Sequence, residues 1–403
     1  MLEDDRPDVC VVGAGPAGLL LALALARRGQ HVVVLEKRAT LEPASTRTSG
    51  PGPGGAPNLQ PVTLGLLDAA GVLDAVRPVS TQIDGAEIQV DGELLAARDY
   101  HQVPGVAVPY AMSVPVTALT GALERRVRDE SLIRIETGTS VRLRERLGEG
   151  FVVQATQGDR QFLVAPRVVV ACDGKHSTAR EMAGITAETF AFENGYLEVP
   201  LPMPAGWGNR MRAHITERGY LLATPVAGPE LLLVWIAEPQ RINESVSAGP
   251  GALAEALAAQ APQLSGILAA ASGDLASRTV PHHIVRPRQW ARHNLVLVGD
   301  SAHGLHAMGG QGLNTALQDA LCTAAALDER LRTGDESALR EFHAVRRPFI
   351  EQFQEQQRHR VAGGHQGVPV FDLDMLALGQ PELRDALDAA AAVLGQAATR
   401  QWT

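Results

Sequence analysis

The feature that most constrains the fold is the segment DVCVVGAGPAGLLLALALARRGQHVVVLEKR, which runs from residue 8 to residue 38. It reads as a short apolar strand, a glycine-rich turn, an apolar helix that stops at Gly29, and a second apolar strand. Gly13 permits the tight turn, Gly15 lets the backbone approach a pyrophosphate, and Gly18 allows helix and strand to pack closely. This order predicts a βαβ unit that binds a dinucleotide at the start of its helix.

Glu36 ends the second strand, where a carboxylate can accept hydrogen bonds from the hydroxyls of an adenosine ribose. A negative charge there disfavours a 2′-phosphate on the bound nucleotide. The remaining candidate cofactor-binding residues of this unit are Pro16, Ala17, Lys37 and Arg38. The motif alone does not separate NAD from FAD.

A second segment, RVVVACDGKHSTAREMAGI, again places an apolar strand before an acid and a glycine, Asp173 and Gly174. An Asp at a strand end can hold a cofactor or a loop. It can equally cap the following helix, with Arg180 as its ion-pair partner. The second segment alone leaves both interpretations open.

The third segment, VLVGDSAHGLHAMGGQGLN, ends a strand at Gly299 and Asp300 and then places several glycines before a helix. A packing role requires neither an acid at a strand end nor repeated glycines. Residues 309–312 therefore predict a place where backbone N–H groups approach a ring or a phosphate.

In order and spacing, the three segments resemble the fingerprints of the FAD-dependent aromatic hydroxylases, the class A flavoprotein monooxygenases similar to para-hydroxybenzoate hydroxylase. The residues that carry the resemblance are Gly13, Gly15, Gly18, Glu36, Asp173, Gly174, Ser177, Arg180, Gly299, Asp300, His303, Gly310, Gln311, Gly312 and Asn314. The resemblance implies an α/β fold with a discontinuous Rossmann-like FAD-binding domain, an antiparallel-sheet substrate domain and C-terminal helices. The expected boundaries are 1–75, 105–185 and 285–350 for the FAD-binding domain, 76–104 and 186–284 for the substrate-binding domain, and 351–403 for the C-terminal helical segment.

The same resemblance implies bound FAD, transient NADPH or NADH, and dioxygen. The nucleotide would reduce the flavin, and a flavin C4a-hydroperoxide would pass oxygen to a phenolic or polyketide-like aromatic ring, as in secondary metabolism. Asp300 would bind the ribityl chain, and Asp173 with Arg180 would serve flavin and nicotinamide together. Residues expected to lie against the isoalloxazine are Gly310, Gln311, Gly312 and Asn314, and Leu313 is a further candidate cofactor-binding residue.

The candidate catalytic residues are His306, Ala307 and Arg47. The family usually has a proline at the position of Ala307, with a backbone carbonyl that faces the substrate hydroxyl; here that rigidity is lost. His306 is the best candidate to touch or deprotonate substrate. Arg47 precedes the glycine- and proline-rich stretch 48–58, which is either a lid or a surface loop. Val116 replaces a polar residue that the family tends to place near the flavin phosphates.

Residues 210–217, 220–226 and 231–237 read as three strands, and AEIQVDGELLAA reads as a hairpin. They predict an antiparallel sheet above the flavin. His214, Tyr220 and Trp235 could line a pocket there, although ordinary sheet positions are the more common alternative. Alanine-rich helices are predicted at 251–271 and 381–402.

The formal net charge of -9 argues against a nucleic-acid or anionic-membrane partner. Three widely spaced cysteines predict neither a disulfide nor a metal site. The acidic N-terminus and the absence of a long apolar stretch predict a cytoplasmic protein. The resemblance implies a small-molecule aromatic substrate, and the protein is expected to be a monomer or homodimer. Epoxidation, reduction and halogenation on the same fold stay open, as does flavin binding without turnover; halogenation is disfavoured because the W-x-W-x-I-P signature is absent.

Overall fold

The structure is a computed structural model that describes residues 4–41, 55–146, 150–361 and 372–395. Its strands are β1 (Asp4–Asp5), β2 (Val9–Val12), β3 (Val32–Leu35), β4 (Asn58–Leu59), β5 (Thr81–Ile83), β6 (Gly85–Val90), β7 (Glu93–Asp99), β8 (Ala111–Ser113), β9 (Ile133–Glu136), β10 (Thr139–Arg146), β11 (Gly150–Gln157), β12 (Arg160–Val164), β13 (Val168–Ala171), β14 (Ala187–Pro202), β15 (Arg210–Thr216), β16 (Gly219–Val226), β17 (Glu230–Ile236), β18 (Arg278–Pro287), β19 (Ala291–Arg292) and β20 (Leu295–Leu297). Its helices are α1 (Pro16–Ala26), α2 (Pro61–Ala69), α3 (Leu73–Val76), α4 (Val116–Arg128), α5 (Thr178–Met182), α6 (Pro239–Ser247), α7 (Pro250–Gln260), α8 (Ser265–Ala271), α9 (Asp300–His303), α10 (Gly312–Thr333), α11 (Ser337–Val361), α12 (Leu373–Leu378) and α13 (Arg384–Gly395).

The central sheet has the strand order β19-β20-β13-β2-β3-β9, and every pair in it is parallel except β19 with β20. Its inner strands are continuous apolar runs because both faces of the sheet are covered. Val9 and Val11 pack against helices α1 and α10, whereas Cys10 and Val12 face the side covered by β11 and β12. Since β2, β3, β13 and β20 run parallel, the chain leaves all four at the same edge.

A second sheet has the order β18-β14-β17-β16-β15-β6-β7 and is antiparallel apart from the β15–β6 pair. One face packs on α6, α7 and α8 through residues such as Leu221, Leu233 and Trp235. The opposite face looks toward the carboxyl edge of the central sheet. The predicted hairpin is confirmed: Asp91 and Gly92 connect β6 to β7, both with positive φ.

The two remaining sheets complete the α/β fold. The sheet β1-β12-β11-β10 covers the central sheet on the side away from α1, and β4-β8-β5 joins the two large sheets. Within the described ranges, no helix has both the length and the apolar character that crossing a membrane requires. No grouping of three or more His, Cys, Asp or Glu side chains in those ranges could hold a metal ion.

Three sequence predictions differ from the structure in instructive ways. The helix expected at 251–271 is interrupted between α7 and α8, because Pro262 has no N–H to continue it. The terminal helix α13 begins at Arg384, three residues later than expected, because Pro381–Leu383 form a 3-10 turn; residues 396–402 of the predicted helix lie outside the described residues. Helix α11 runs through residue 350, so the boundary expected there falls inside one helix.

Of the three residues that could have lined one pocket, two take the more common alternative of ordinary sheet positions. Tyr220 faces the central sheet, but His214 and Trp235 lie on the opposite face. The register explains this: Leu221 pairs with both His214 and Trp235, whereas Tyr220 pairs with Ile215 and Ile236. Paired residues share a face, and neighbours along a strand do not.

Candidate active site

Three loops meet at the carboxyl edge of the central sheet. Loop 1 (13–15) follows β2, loop 2 (172–177) follows β13, and loop 3 (298–311) follows β20. A Cβ atom at Gly13 would lie 2.5 Å from the Cys172 carbonyl oxygen, and one at Gly18 would lie 2.2 Å from the Gly13 carbonyl oxygen. Loop 1 therefore packs against loop 2 and α1 so closely that a side chain at either glycine would collide with backbone.

Gly15 and Gly312 have a different reason to be glycine. A Cβ at either position would meet no atom of the described chain within 4 Å, and neither residue has a positive φ. Each lies at the start of a helix, α1 or α10, where free N–H groups face outward. The protein's own packing and backbone do not require these glycines, so the arrangement fits a cofactor that lies directly on the backbone.

Two cavities extend from these loops. The first, of about 880 Å³, is lined by Glu36, Lys37 and Arg38, by loop 2, and by residues 139–143 of β10. The second, of about 440 Å³, lies between loop 3 and the second sheet and includes Asp300 in its wall. Both share Gly15, Cys172 and Gly174, so together they form the elongated site that a dinucleotide needs.

Thirteen predicted cofactor-binding residues line one or both cavities. They are Gly13, Gly15, Pro16, Ala17, Glu36, Lys37, Arg38, Asp173, Gly174, Asp300, Gly310, Gly312 and Leu313. The candidate catalytic residues His306 and Ala307 line the second cavity. Arg47 and most of the stretch 48–58 lie outside the described residues. Val116 lines the second cavity, and its N–H donates to the Gly55 carbonyl at 3.1 Å.

Glu36 is held as a fixed, ionised acceptor at the wall of the first cavity. Its Oε2 accepts from the Ala14 N–H at 2.8 Å, and its Oε1 accepts from both the N–H and the Nε of Arg38 at 2.9 Å. Burial acts to raise the pKa of Glu36, but the hydrogen bonds and the charge of Arg38 outweigh it and hold that pKa below its ordinary value. A negative acceptor suits ribose hydroxyls.

Loop 2 combines the two roles left open by the sequence. Asp173 Oδ2 accepts from the Ala179 N–H at 3.0 Å, as a capping residue does, while its buried Oδ1 has no partner in the described part of the chain. Arg180 does not pair with that carboxylate. Its guanidinium instead donates to the Ser301 carbonyl at 3.0 Å and the Lys175 carbonyl at 2.9 Å. Arg180 thus ties loop 2 to the start of loop 3 and lines neither cavity.

Two residues expected beside the flavin ring point away from the second cavity. Gln311 bonds to the Gly309 carbonyl, and Asn314 bonds to the backbone of Asn58, Gln60 and Gly310. Helical rotation explains the difference: Gly312, Leu313 and Ala316 share the cavity face of α10, and residues 311 and 314 lie off it. Gly299 likewise packs between α10 and α1: a Cβ atom at this position would lie 3.1 Å from Ala316 Cβ and 3.6 Å from Ala17 Cβ.

His306 is buried, and both ring nitrogens are engaged. The Met308 N–H donates to Nδ1 at 3.2 Å, so Nε2 carries the proton that points to the Gly195 carbonyl at 3.1 Å. Burial, followed by the proximity of His282 and Lys175, lowers the pKa of His306 well below its ordinary value. These contacts indicate that His306 is a neutral ring that fixes loop 3, rather than a base that removes a proton from substrate.

Gln357 of α11 clamps the segment of loop 3 that faces the second cavity. Its Oε1 accepts from the His306 N–H at 3.0 Å, and its Nε2 donates to the carbonyls of His306 at 2.9 Å and Met308 at 2.6 Å. The Ala307 carbonyl accepts from the Gly310 N–H at 3.0 Å. The rigidity that a proline would give at Ala307 is supplied here by a side chain from another helix.

Lys175 holds the same segment from the opposite side. Its Nζ donates to the carbonyls of Leu305 at 2.6 Å and His283 at 3.0 Å, and it lies 3.0 Å from His282 Nε2. Burial lowers the pKa of Lys175, and the charge of Asp300 partly offsets this. Sequence reasoning missed both clamps. The available signal was that only two lysines, Lys37 and Lys175, occur in a chain rich in arginine.

A buried ion network anchors loop 3 to the helices behind it. Arg346 is fully buried and its Nε lies 2.7 Å from Asp319 Oδ1, while His303 Nε2 contacts Asp319 Oδ2. Burial would raise the pKa of Asp319, but the charges of Arg346 and His303 hold it below its ordinary value. His303, which belongs to the third segment, therefore has a structural partner in Asp319.

Comparison with known proteins agrees with this geometry. A family model described as an FAD binding domain matches residues 6–357. Protoasukamycin 4-monooxygenase of Streptomyces nodosus subsp. asukaensis is 33% identical over 400 residues, which cover 94% of this chain and 95% of that protein. The 6-methylpretetramide 4-monooxygenase of Streptomyces rimosus is 32% identical, over 85% of this chain and 81% of its own.

Among solved structures, PqsL of P. aeruginosa in complex with 2-aminobenzoylacetate superposes with a TM-score of 0.76 at 23% identity, over 97% of this chain and 100% of that one. This likeness shows a shared fold. Since the family model spans most of the chain and a monooxygenase matches it nearly end to end, the protein belongs to the FAD-dependent aromatic hydroxylase family and is an FAD-dependent monooxygenase.

Proposed function

We propose that the protein uses NADPH or NADH and dioxygen to hydroxylate a phenolic or polyketide-like aromatic compound. The observation that carries the proposal is the pair of joined cavities, with backbone exposed at Gly15 and Gly312 and an apolar sheet above the second one. The two Streptomyces relatives, which are named as monooxygenases of protoasukamycin and 6-methylpretetramide, support the class of substrate.

The fit of the site to FAD assigns a role to each end. Gly15 and Glu36 would hold the adenosine and pyrophosphate half, and Asp300 with Gly312 would hold the ribityl and ring half. When bound, FAD supplies hydride acceptance from the nucleotide and the activation of dioxygen. The rest of the task falls to the chain's own side chains.

The chain's contribution is to orient the substrate and to keep water out. Leu222, Leu232 and Val234 give the second cavity an apolar wall. Such a wall excludes water and so limits the unproductive breakdown of reactive intermediates. Gln357 and Lys175 fix loop 3 from two sides, so the backbone at Ala307 keeps one position relative to the ring. The proposal also places the protein in the cytoplasm, as a monomer or homodimer.

The test is the visible spectrum of the purified protein before and after anaerobic addition of NADPH and, separately, NADH. We expect flavin bands that bleach, and that bleach faster when one of a panel of phenolic and polyketide compounds is present. Hydroxylated product after admission of air would identify that compound as a substrate. A yellow protein that neither nucleotide reduces, with or without the panel, would contradict the proposed reaction.

A further inference from the structure

The wall of the second cavity that belongs to the second sheet is apolar on one side and polar on the other. Strands β16 and β17 contribute Leu222, Leu232 and Val234, and the hydroxyl of Thr224 is engaged with Asn58 at 3.1 Å. Strand β14 instead contributes Tyr196 and Glu198, which lie two residues apart and so share one face. A ligand in this cavity meets hydrocarbon under two strands and polar groups under the third.

Glu198 is a carboxylate with one oxygen unused. Arg278 donates to Oε2 through Nε at 3.0 Å and through its terminal nitrogen, whereas Oε1 receives no hydrogen bond within the described part of the chain. The side chain of Glu198 is 11% exposed, but that of Arg278 is 62% exposed. The ion pair therefore fixes the carboxylate from the solvent side and leaves Oε1 able to accept from a ligand in the cavity that Glu198 lines.

Tyr196 extends this polar strip toward loop 3. Its ring packs edge-on against His282 at 5.6 Å and against His306 at 6.4 Å between centroids. Burial, with the charge of Glu198, raises the pKa of Tyr196 to about 12, so its hydroxyl stays protonated at neutral pH. The strip thus pairs a neutral hydroxyl with a fixed negative acceptor.

We propose that Glu198 determines substrate specificity by accepting a hydrogen bond from an O–H or N–H group of the substrate. The donor-bearing edge of the aromatic compound then lies under β14, and its hydrocarbon body lies under Leu222, Leu232 and Val234. Compounds that carry a carboxylate at this edge are repelled by the charge of Glu198. The inference rests on the proposed function, because it takes the second cavity as the place where an aromatic substrate binds.

The test uses the FAD-loaded enzyme and two probes with the same ring system: 2-naphthol, which has an O–H donor, and 2-methoxynaphthalene, in which a methyl group replaces that hydrogen. Each is titrated while the flavin absorption spectrum is followed, and the ratio of the two Kd values is compared between the wild type, Glu198→Leu, Glu198→Gln and Glu188→Leu. Glu188 is the matched control, since it is an exposed carboxylate on the same strand. FAD content and Tm of every variant are measured first, and the exposed Arg278 should stay solvated when its partner is removed.

We expect the wild type and Glu188→Leu to prefer 2-naphthol by about 10-fold or more, as a hydrogen bond to a charged acceptor gives. Glu198→Leu should lose that preference, and Glu198→Gln, which keeps an acceptor oxygen, should retain part of it. A preference unchanged in Glu198→Leu overturns the proposal, as does a wild type that binds neither probe or binds both equally. Failure of the proposed function is seen separately, as a flavin that no nucleotide reduces.

Discussion

Replacing Gly312 with alanine should move the stability of the protein and its affinity for FAD in opposite directions. Gly312 is the first residue of α10, it lacks a positive φ, and a Cβ there would touch no atom of the described chain within 4 Å. The free energy of unfolding of the apoprotein should therefore rise by about 0.4–1 kcal/mol, because alanine restricts the unfolded chain without straining the folded one. The added methyl group would occupy the space assigned to the flavin, and forcing a methyl group into a filled space costs about 1–3 kcal/mol, or roughly 5- to 150-fold in Kd.

The assay for Gly312→Ala is urea unfolding of the apoprotein together with FAD titration, followed by the change in flavin fluorescence. Gly18→Ala is the matched control: its Cβ would lie 2.2 Å from the Gly13 carbonyl oxygen, so that apoprotein should be destabilised. FAD binding by Gly312→Ala within twofold of the wild type would refute the placement of flavin against α10. A destabilised Gly312→Ala apoprotein would show that the space is not free.

Three further outcomes follow from the site and its surroundings. Gln357→Leu leaves three backbone groups of loop 3 without the partners that Gln357 provides. The free energy of unfolding in urea should therefore fall by about 3 kcal/mol, at about 1 kcal/mol for each hydrogen bond. A fall of under 1 kcal/mol would mean that the clamp contributes little. Asp300→Ala should purify with little bound FAD, and a flavin-replete variant would contradict the role of Asp300. Burial lowers the pKa of His214 and of His343 to about 4, so the unfolded chain binds protons that the folded chain does not. Their stabilisation is complete above the unfolded pKa of about 6.5 and is lost as pH falls toward 4, at up to about 1.4 kcal/mol per pH unit for each histidine. In apoprotein that carries glutamine at both positions, the free energy of unfolding should depend less steeply on pH between pH 6.5 and 5. An unchanged pH dependence would count against this explanation.

The sequence predicted those parts of the fold whose signals are local. Apolar runs that end in glycine and acid gave β2, β13 and β20, and the turn at Asp91 and Gly92 gave a hairpin. Two features of the fold were not predicted: strand β14, which depends on pairing between distant segments, and the sheet of β10, β11 and β12, which are neighbours in sequence. Strand β14 continues through Asn194 and Gly195, a pair typical of turns, because it pairs with β17 and β18 on its two sides. The sheet of β10, β11 and β12 follows no glycine fingerprint.

The same distinction holds within the site. Gly15, Glu36 and Asp300 could be found from sequence because the strand before each one fixes its direction. Gln357 could not, since nothing in its neighbourhood shows that its side chain reaches loop 3 from 51 residues away. Lys175 stands out as one of two lysines, but that scarcity does not show that its side chain reaches loop 3 across 130 residues. His306 was the best candidate to touch or deprotonate substrate because of its residue type and its place beside the expected flavin face. Its contacts to Met308 and Gly195 favour a neutral ring with a structural role.

Because lysine is scarce in this chain, chemical modification of lysine amines can report on the active site. The ammonium group of Lys175 has three partners at the second cavity, whereas Lys37 is exposed at the mouth of the first. An amine-reactive reagent should therefore modify Lys37 rapidly and Lys175, whose ammonium group is engaged, more slowly, with a rate that rises when loop 3 separates from loop 2. Peptide mass spectrometry of the acylated protein thus reads the opening of the active site at a single lysine, without an introduced label.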